Sequence, residues 1–214
     1  MLRSECRLID AVVFDLGAVL IGWDPRNLYR KLTDDQEKIE YFLSKICTPE
    51  WNSRQDAGRP FTDAVIELTQ KHPEFQEWIE LYHSRWHEMI SGPIEGTVAI
   101  LEELARSRRV KLFALTNWSA ETFPYALKTF PFLTEFEGIV VSGVEKLIKP
   151  NPELYQILLR RYHLNAKQCI FIDDLERNVE AARALGFSGL VFTSPDGLRR
   201  QLEQMGLLNS RESC

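Results

Sequence analysis

Four places in the chain set residues able to do chemistry at the end of a short apolar run. In AVVFDLGAVL (residues 11–20) one acid, Asp15, sits inside sequence otherwise suited to burial. KLFALT ends on Thr116 with Asn117 next, Lys149 follows GIVVS by a short loop, and CIFID runs into Asp173 and Asp174. A carboxylate at the end of a buried strand costs several kcal/mol unless it is paired, hydrogen-bonded or bound to a metal, so something later in the chain must compensate Asp15. Three carboxylates brought together repel one another, and one lysine supplies a single unit of charge. A hard divalent ion answers the remainder, and Mg²⁺ suits one or two carboxylates with water and a substrate phosphate. A phosphate needs donors, which Thr116, Asn117 and Lys149 provide. Asp15 is then a metal ligand, a nucleophile or both, because carboxylates form aspartyl-phosphates that water later opens.

The elements that must position these residues are legible from periodicity. The runs at 11–15, 111–116, 138–142, 169–173 and 189–193 are rich in branched and aromatic residues and end in polar ones, which predicts strands covered on both faces. Between them lie helix signals: Asn151-Pro152 and Ser194-Pro195 as N-cap pairs, Gly186 and Gly206 as C′ glycines. The alternation predicts an α/β fold with a doubly wound, mostly parallel, Rossmann-like sheet, whose ligands bind beyond the carboxyl ends of the strands. From Asp24 to Ile90 the alternation stops. Asp24-Pro25, the capping-box sequence Thr33-Asp34-Asp35-Gln36, Pro49 and Pro73 mark helix starts without a convincing strand. This predicts a small inserted helical cap at residues 23–90, with a core of residues 1–22 and 91–214.

Composition bounds the function. With 26 basic against 31 acidic residues, a net charge of −5 and no Lys/Arg run longer than two, the chain has no footprint for a nucleic-acid backbone. No apolar run approaches the ~20 residues of a membrane span. Cys6, Cys47, Cys169 and Cys214 lack metal-ligand spacing, and Cys169 falls in a strand as a small hydrophobe. No leader-like segment precedes them, so the expectation is a cytoplasmic protein, a monomer or small homo-oligomer.

FDLGAVL, LTNWS, KPNPELY and FIDDLERNVEAARALG, in this order, resemble the four motifs of the haloacid-dehalogenase-like hydrolase superfamily, most of whose members are Mg²⁺-dependent phosphatases. The helical insertion stands where that superfamily places a cap of its first type. By position, the resemblance implies that Asp15 is nucleophile and metal ligand, and that Thr116 and Asn117 bind phosphate. It makes Lys149 the cation that stabilises the phosphoryl group, and Asp173 and Asp174 the metal-side acids. Asp174 would be the direct ligand, Asp173 would act through water or orient Lys149, and Asn178 would support their loop. The expected substrate is a small phosphate monoester, sugar-phosphate-like or another small metabolite.

One position departs from the pattern. Two residues after the nucleophile most such phosphatases carry a second Asp that moves the leaving-group proton; here it is Gly17, able to offer Mg²⁺ only its carbonyl. General acid–base catalysis is typically worth about 10²–10⁴-fold, so alkyl phosphates should be poor substrates unless another group substitutes. Two rivals share features of the set. A metal-independent 2-haloacid dehalogenase uses the Asp and Lys but does not need the acid pair, and a phosphometabolite-binding protein would bind without turnover. A receiver domain places its acid pair first, which this chain does not. Within the expected cap, Trp51–Arg59 reads either as a polar surface facing the crevice or as a solvated helix end. His83, Trp86 and His87 share a helix face and read as core or surface, whereas Trp118 stands where it would touch a ligand or pack on the cap.

Overall fold

The apolar runs become strands. In the computed structural model, which describes residues 9–209, β1 (Ala11–Phe14) leads through a tight loop into β2 (Ile21–Trp23). Helices α1 (Arg26–Tyr29), α2 (Gln36–Tyr41), α3 (Pro49–Asp56), α4 (Phe61–Lys71) and α5 (Gln76–Ser84) follow, and the chain returns through β3 (Ile90–Pro93). The remainder alternates: α6 (Glu95–Ser107), β4 (Lys111–Thr116), α7 (Phe123–Thr129), β5 (Gly138–Val141), α8 (Ser142–Glu145), α9 (Pro152–Arg161), β6 (Cys169–Asp173), α10 (Glu176–Ala184), β7 (Ser188–Val191) and α11 (Pro195–Gln204). Cys6 and Cys214 lie outside the described residues; Cys47 and Cys169 are buried free thiols.

Strands β1, β4, β5, β6 and β7 pair in parallel in the order β5-β4-β1-β6-β7. The chain therefore winds outward in one direction from β1 to β5 and in the other from β6 to β7. The reversal falls between β1 and β6, which is where a doubly wound sheet opens a crevice. Alternate residues of the strands serve two cores. Val12, Phe14, Leu112, Ala114, Ile170 and Ile172 pack with residues of α6 and α11, while Ala11, Val13, Phe113, Leu115 and Phe171 pack with α9 and α10. Burial on both faces is why the strands read as continuous apolar runs.

The expected helix starts at Asn151-Pro152 and Ser194-Pro195 are present, each cap side chain accepting a backbone N–H, from Glu153 and Gly197 respectively. Gly186 and Gly206 close helices at φ of 101° and 74°. Helix α2 begins later than the capping-box reading places it. Its cap is Asp35, which accepts the Lys38 N–H at 3.0 Å, while Thr33 accepts the Asp35 N–H at 3.2 Å. The small antiparallel sheet of β2 and β3 is also missing from that reading, and it lies across the expected boundaries at 22/23 and 90/91. Three- and four-residue strands containing Gly22, Gly92 and Pro93 have too little period-2 signal to be recognised. No described helix is long and apolar enough to cross a membrane.

Candidate active site

Register puts the acids side by side. Phe14 stands opposite Ala114 of β4 and Ile172 of β6, so Asp15 and Asp173 leave adjacent strands at one level. The Asp15 N–H still donates to the Ile172 carbonyl at 2.8 Å, which holds the residue in line with its strand. Beyond it the chain coils tightly: the Leu16 carbonyl accepts from both Leu20 and Ile21 at 2.8 Å, and Ala18 takes the left-handed conformation at φ 57°. Asp15 Oδ1 accepts the Leu16 N–H at 2.7 Å, leaving Oδ2 to face Lys149 Nζ at 2.8 Å.

Lys149 is fully enclosed, its ammonium held between Asp15 and the Asp173 Oδ2 at 2.7 Å. Its backbone is bracketed by Asn117, whose Oδ1 accepts the Lys149 N–H at 2.8 Å and whose Nδ2 donates to the Lys149 carbonyl at 3.1 Å. Asn117 therefore fixes the lysine as well as standing at the strand end. Asp173 is saturated by protein donors: Leu175 N–H at 2.9 Å, Asn178 Nδ2 at 2.9 and 3.1 Å, and Lys149. Asp174, half-buried, faces a cavity that Gly17 also lines. Thr116 is completely buried, and its Oγ1 has no hydrogen-bond partner among the described residues, which is a cost unless a ligand meets it.

Electrostatics follow from burial. Desolvation pushes Asp15 up to about 7 against the pull of Lys149, with Asp173 and Asp174 adding repulsion. Asp174 is raised by burial and by Asp173, and Lys149 is raised because its two carboxylate partners outweigh desolvation. Asp15, Asp173 and Asp174 each offer an oxygen within 4.8 Å of the others. Three carboxylates against one ammonium leave two formal negative charges at the crevice mouth. An all-oxygen donor set with that imbalance fits a hard divalent cation, with Asp15 and Asp174 the carboxylates best able to turn toward it, since Asp173 is already occupied.

A cavity of about 260 Å³ opens beside these groups, lined by Gly17, Asn117, Trp118, Ser119, Thr122, Asp174 and Leu175 from the strand ends. From the other side come Trp23, Asn52, Asp56, Phe61 and Trp86. Of the Trp51–Arg59 stretch, Asn52 and Asp56 face the cavity, Trp51 packs on Tyr82 at 5.1 Å, and Arg54 is exposed. Trp86, expected as core or surface, is buried and also part of the wall, 5.6 Å from the Trp118 ring. Trp118 both packs across and lines the cavity. His83 stacks on Phe61 at 4.5 Å and lies 3.5 Å from Glu121, His87 lies 5.7 Å from the Tyr125 ring, and neither joins the acidic cluster. Asp24 accepts the Arg26 N–H and pairs with Arg26 and Arg30, away from the cavity lining. Trp23 and Phe61 had no readable signal: each is one aromatic among many until the fold points it inward.

Comparison with known proteins agrees with this fold. A family model described as haloacid dehalogenase-like hydrolase matches residues 18–191. The chain is 27% identical over 206 residues to the sesquiterpene phosphatase astK of Aspergillus oryzae, covering 94% of this chain and 98% of that protein. It is 22% identical over 196 residues to a phosphorylated carbohydrates phosphatase of Thermotoga maritima, covering 88% of each. Among solved structures, a HAD family enzyme of Bacteroides thetaiotaomicron in complex with magnesium and inorganic phosphate superposes with a TM-score of 0.66 at 20% identity, over 87% of this chain and 95% of that one.

Proposed function

The chain belongs to the haloacid dehalogenase-like hydrolases, and from that premise we propose that it is a Mg²⁺-dependent phosphatase that hydrolyses small phosphate monoesters through Asp15. The observation that carries this reading is the ionic cluster at the switch point, where Lys149 is fixed between Asp15 and Asp173 while Asp174 adds a third carboxylate. The relatives named as phosphatases support it.

Asp15 and Asp174, with the Gly17 carbonyl, would hold the Mg²⁺, which when bound supplies positive charge to the phosphoryl oxygens and relieves the repulsion between the acids. The chain's own residues do the rest. The Leu16 amide and Lys149 fix the Asp15 carboxylate so that an oxygen attacks phosphorus; the bond from phosphorus to the ester oxygen breaks, and an aspartyl-phosphate remains. Thr116 Oγ1 and the Lys149 ammonium donate to the phosphoryl oxygens as charge moves onto them. Water then attacks phosphorus, the bond to Asp15 breaks, and inorganic phosphate leaves.

Residues 23–90 act in this reading as a cap that covers the leaving group. Trp23, Phe61, Trp86 and Trp118 offer flat apolar surface, and Asn52, Ser119 and Thr122 offer hydrogen bonds. At about 260 Å³ the cavity lies just below the ~300–1,000 Å³ usual for ligand sites, which favours a compact alcohol with one stackable carbon face over a large or fully polar one. A panel of sugar, aryl and isoprenoid-type phosphates, assayed for phosphate release with and without EDTA, tests the proposal. Release that requires Mg²⁺ supports it; release indifferent to chelation, or halide release from a 2-haloacid in its place, overturns it.

A further inference from the structure

Hydrolysis of a monoester needs a proton for the departing oxygen and a base for the attacking water, and the strand ends supply neither. Lys149 is locked between two carboxylates, both Asp173 oxygens accept from protein donors, and Asp15 is the nucleophile. Gly17 has no side chain although its position would accept one. A Cβ built there meets nothing within 4 Å, and the left-handed residue of the loop is Ala18 rather than Gly17. Two acids line the cavity, Asp174 and Asp56. Asp174 belongs to the metal-side cluster.

We infer that Asp56, carried across the crevice by the last turn of α3, is the catalytic acid and base that moves the proton which no side chain at position 17 can move. Its placement is enforced from the core side. Ser142 Oγ donates to the Asp56 carbonyl at 2.6 Å and accepts the Trp118 N–H at 2.9 Å, tying the end of α3 to the loop after β4. Gly58, at φ 91°, lets the following turn approach the Gly143 carbonyl so closely that a Cβ would lie 2.9 Å from it. The carboxyl accepts Asn52 Nδ2 at 3.2 Å and has no ion-pair partner among the described residues. The groups that bear on it are Asn52, a Ser119 backbone hydrogen bond, the charge of Lys149, and Tyr82 on α5. Burial outweighs the Ser119 bond and Lys149 and pushes Asp56 up to about 7, so both protonation states are accessible near neutrality.

The steps balance. As Asp15 attacks phosphorus and the ester bond breaks, the Asp56 proton passes to the departing oxygen and leaves with the alcohol. Asp56, now a carboxylate, takes a proton from the water that attacks the aspartyl-phosphate; phosphate departs, and the enzyme returns to its starting state. This inference rests on the phosphatase reading above.

The test uses two substrates with similar aromatic bodies, 4-nitrophenyl phosphate, whose leaving group needs no proton, and 2-phenylethyl phosphate, whose leaving group does. For Asp56→Asn with Mg²⁺, kcat/KM for the phenylethyl ester should fall about 10²–10³-fold while that for the nitrophenyl ester changes about threefold or less. Because water activation is also lost, nitrophenyl turnover should show a burst of about one equivalent followed by a slow steady rate. Gly17→Asp in the Asp56→Asn background should restore the phenylethyl ester at least about tenfold, whereas Gly17→Asp alone should yield no selective gain. Equal losses of kcat/KM on both esters, or no loss on either, overturn the assignment. Should Asp56→Asn not fold, the wild type decides: kcat/KM falling steeply with leaving-group basicity across an aryl and alkyl series overturns it, and a shallow dependence supports it. A wild type inert toward both esters sinks the phosphatase reading itself, whereas an active wild type with an indifferent Asp56→Asn sinks this inference alone.

Discussion

The strand ends and the helical insertion face the same cavity with different physics. On the strand side, charges are fixed in place: Lys149 and Asp173 are enclosed and hydrogen-bonded, Asp173 held in register at the end of β6 and Lys149 bracketed by Asn117. On the insertion side the wall consists of rings, Asn52 and one acid with no ion-pair partner among the described residues, held by aromatic packing such as Trp86 on Trp118 and by single tethers such as Ser142 on the Asp56 carbonyl. Ionic geometry tolerates little displacement, because a charge moved by an ångström loses its partners while remaining desolvated. Apolar surface is less directional and can be re-cut by substitution at modest cost. In the proposed reading the nucleophile and the ion belong to the strand ends, whereas the insertion supplies the walls that choose the substrate and, in Asp56, the acid that moves the proton.

The sharpest way to break that division is at Asp15. Asp15→Asn keeps the size and removes the nucleophile, so phosphate release should fall by about 10⁴-fold or more, to background, with no rescue by Mg²⁺. Residual turnover within about tenfold of wild type would move the nucleophile elsewhere. Asp174→Asn sits on the same side but acts on the ion: the Mg²⁺ concentration for half-maximal rate should rise about tenfold or more, and excess Mg²⁺ should recover part of the rate. A loss that Mg²⁺ cannot touch would merge the two roles.

On the insertion side, Trp86→Ala should raise KM for aryl esters about tenfold and leave kcat nearly unchanged, since stacking acts on ground and transition states alike. A fall in kcat with KM constant would place Trp86 in the chemistry and blur the comparison.

The smallest effect is thermodynamic. Asp15 holds its proton more tightly in the folded protein, at about 7, than an unfolded chain holds one near 4. Folding therefore takes up a proton between those values, and in metal-free protein this contribution to stability is present at low pH and lost as pH rises through about 7. Mg²⁺ competes with the same protons. At saturation of about 100 times Kd it should stabilise by about 2.7 kcal/mol, a melting shift of about 5–10 °C for a chain of this size, at pH 8, and by less at pH 5. Melting curves at both pH values, with and without Mg²⁺, check it. A shift larger at pH 5 would remove Asp15 and Asp174 from the ion's surroundings.

The sheet, its winding and the acids at its strand ends are written locally in the chain. Burial on both faces makes each strand a continuous apolar run, so the first polar residue after the run, whether Asp15, Thr116 or Asp173, marks the strand end and the crevice together. Helix caps at Asn151 and Ser194 are equally local, since a cap bonds an amide two or three residues away. The tertiary structure alone decided which residues of the insertion matter. Trp23, Asn52, Asp56, Phe61 and Trp86 are spread over 64 positions of chain and meet only because β2 pairs with β3 and α3 docks on Ser142. Nothing in the local pattern separates Asp56, which faces the cavity, from Asp24, which closes a turn and two surface ion pairs. Both are acids near a helix end, and the difference between a capping carboxylate and one that faces the cavity is made by packing between segments, which no short stretch of residues encodes.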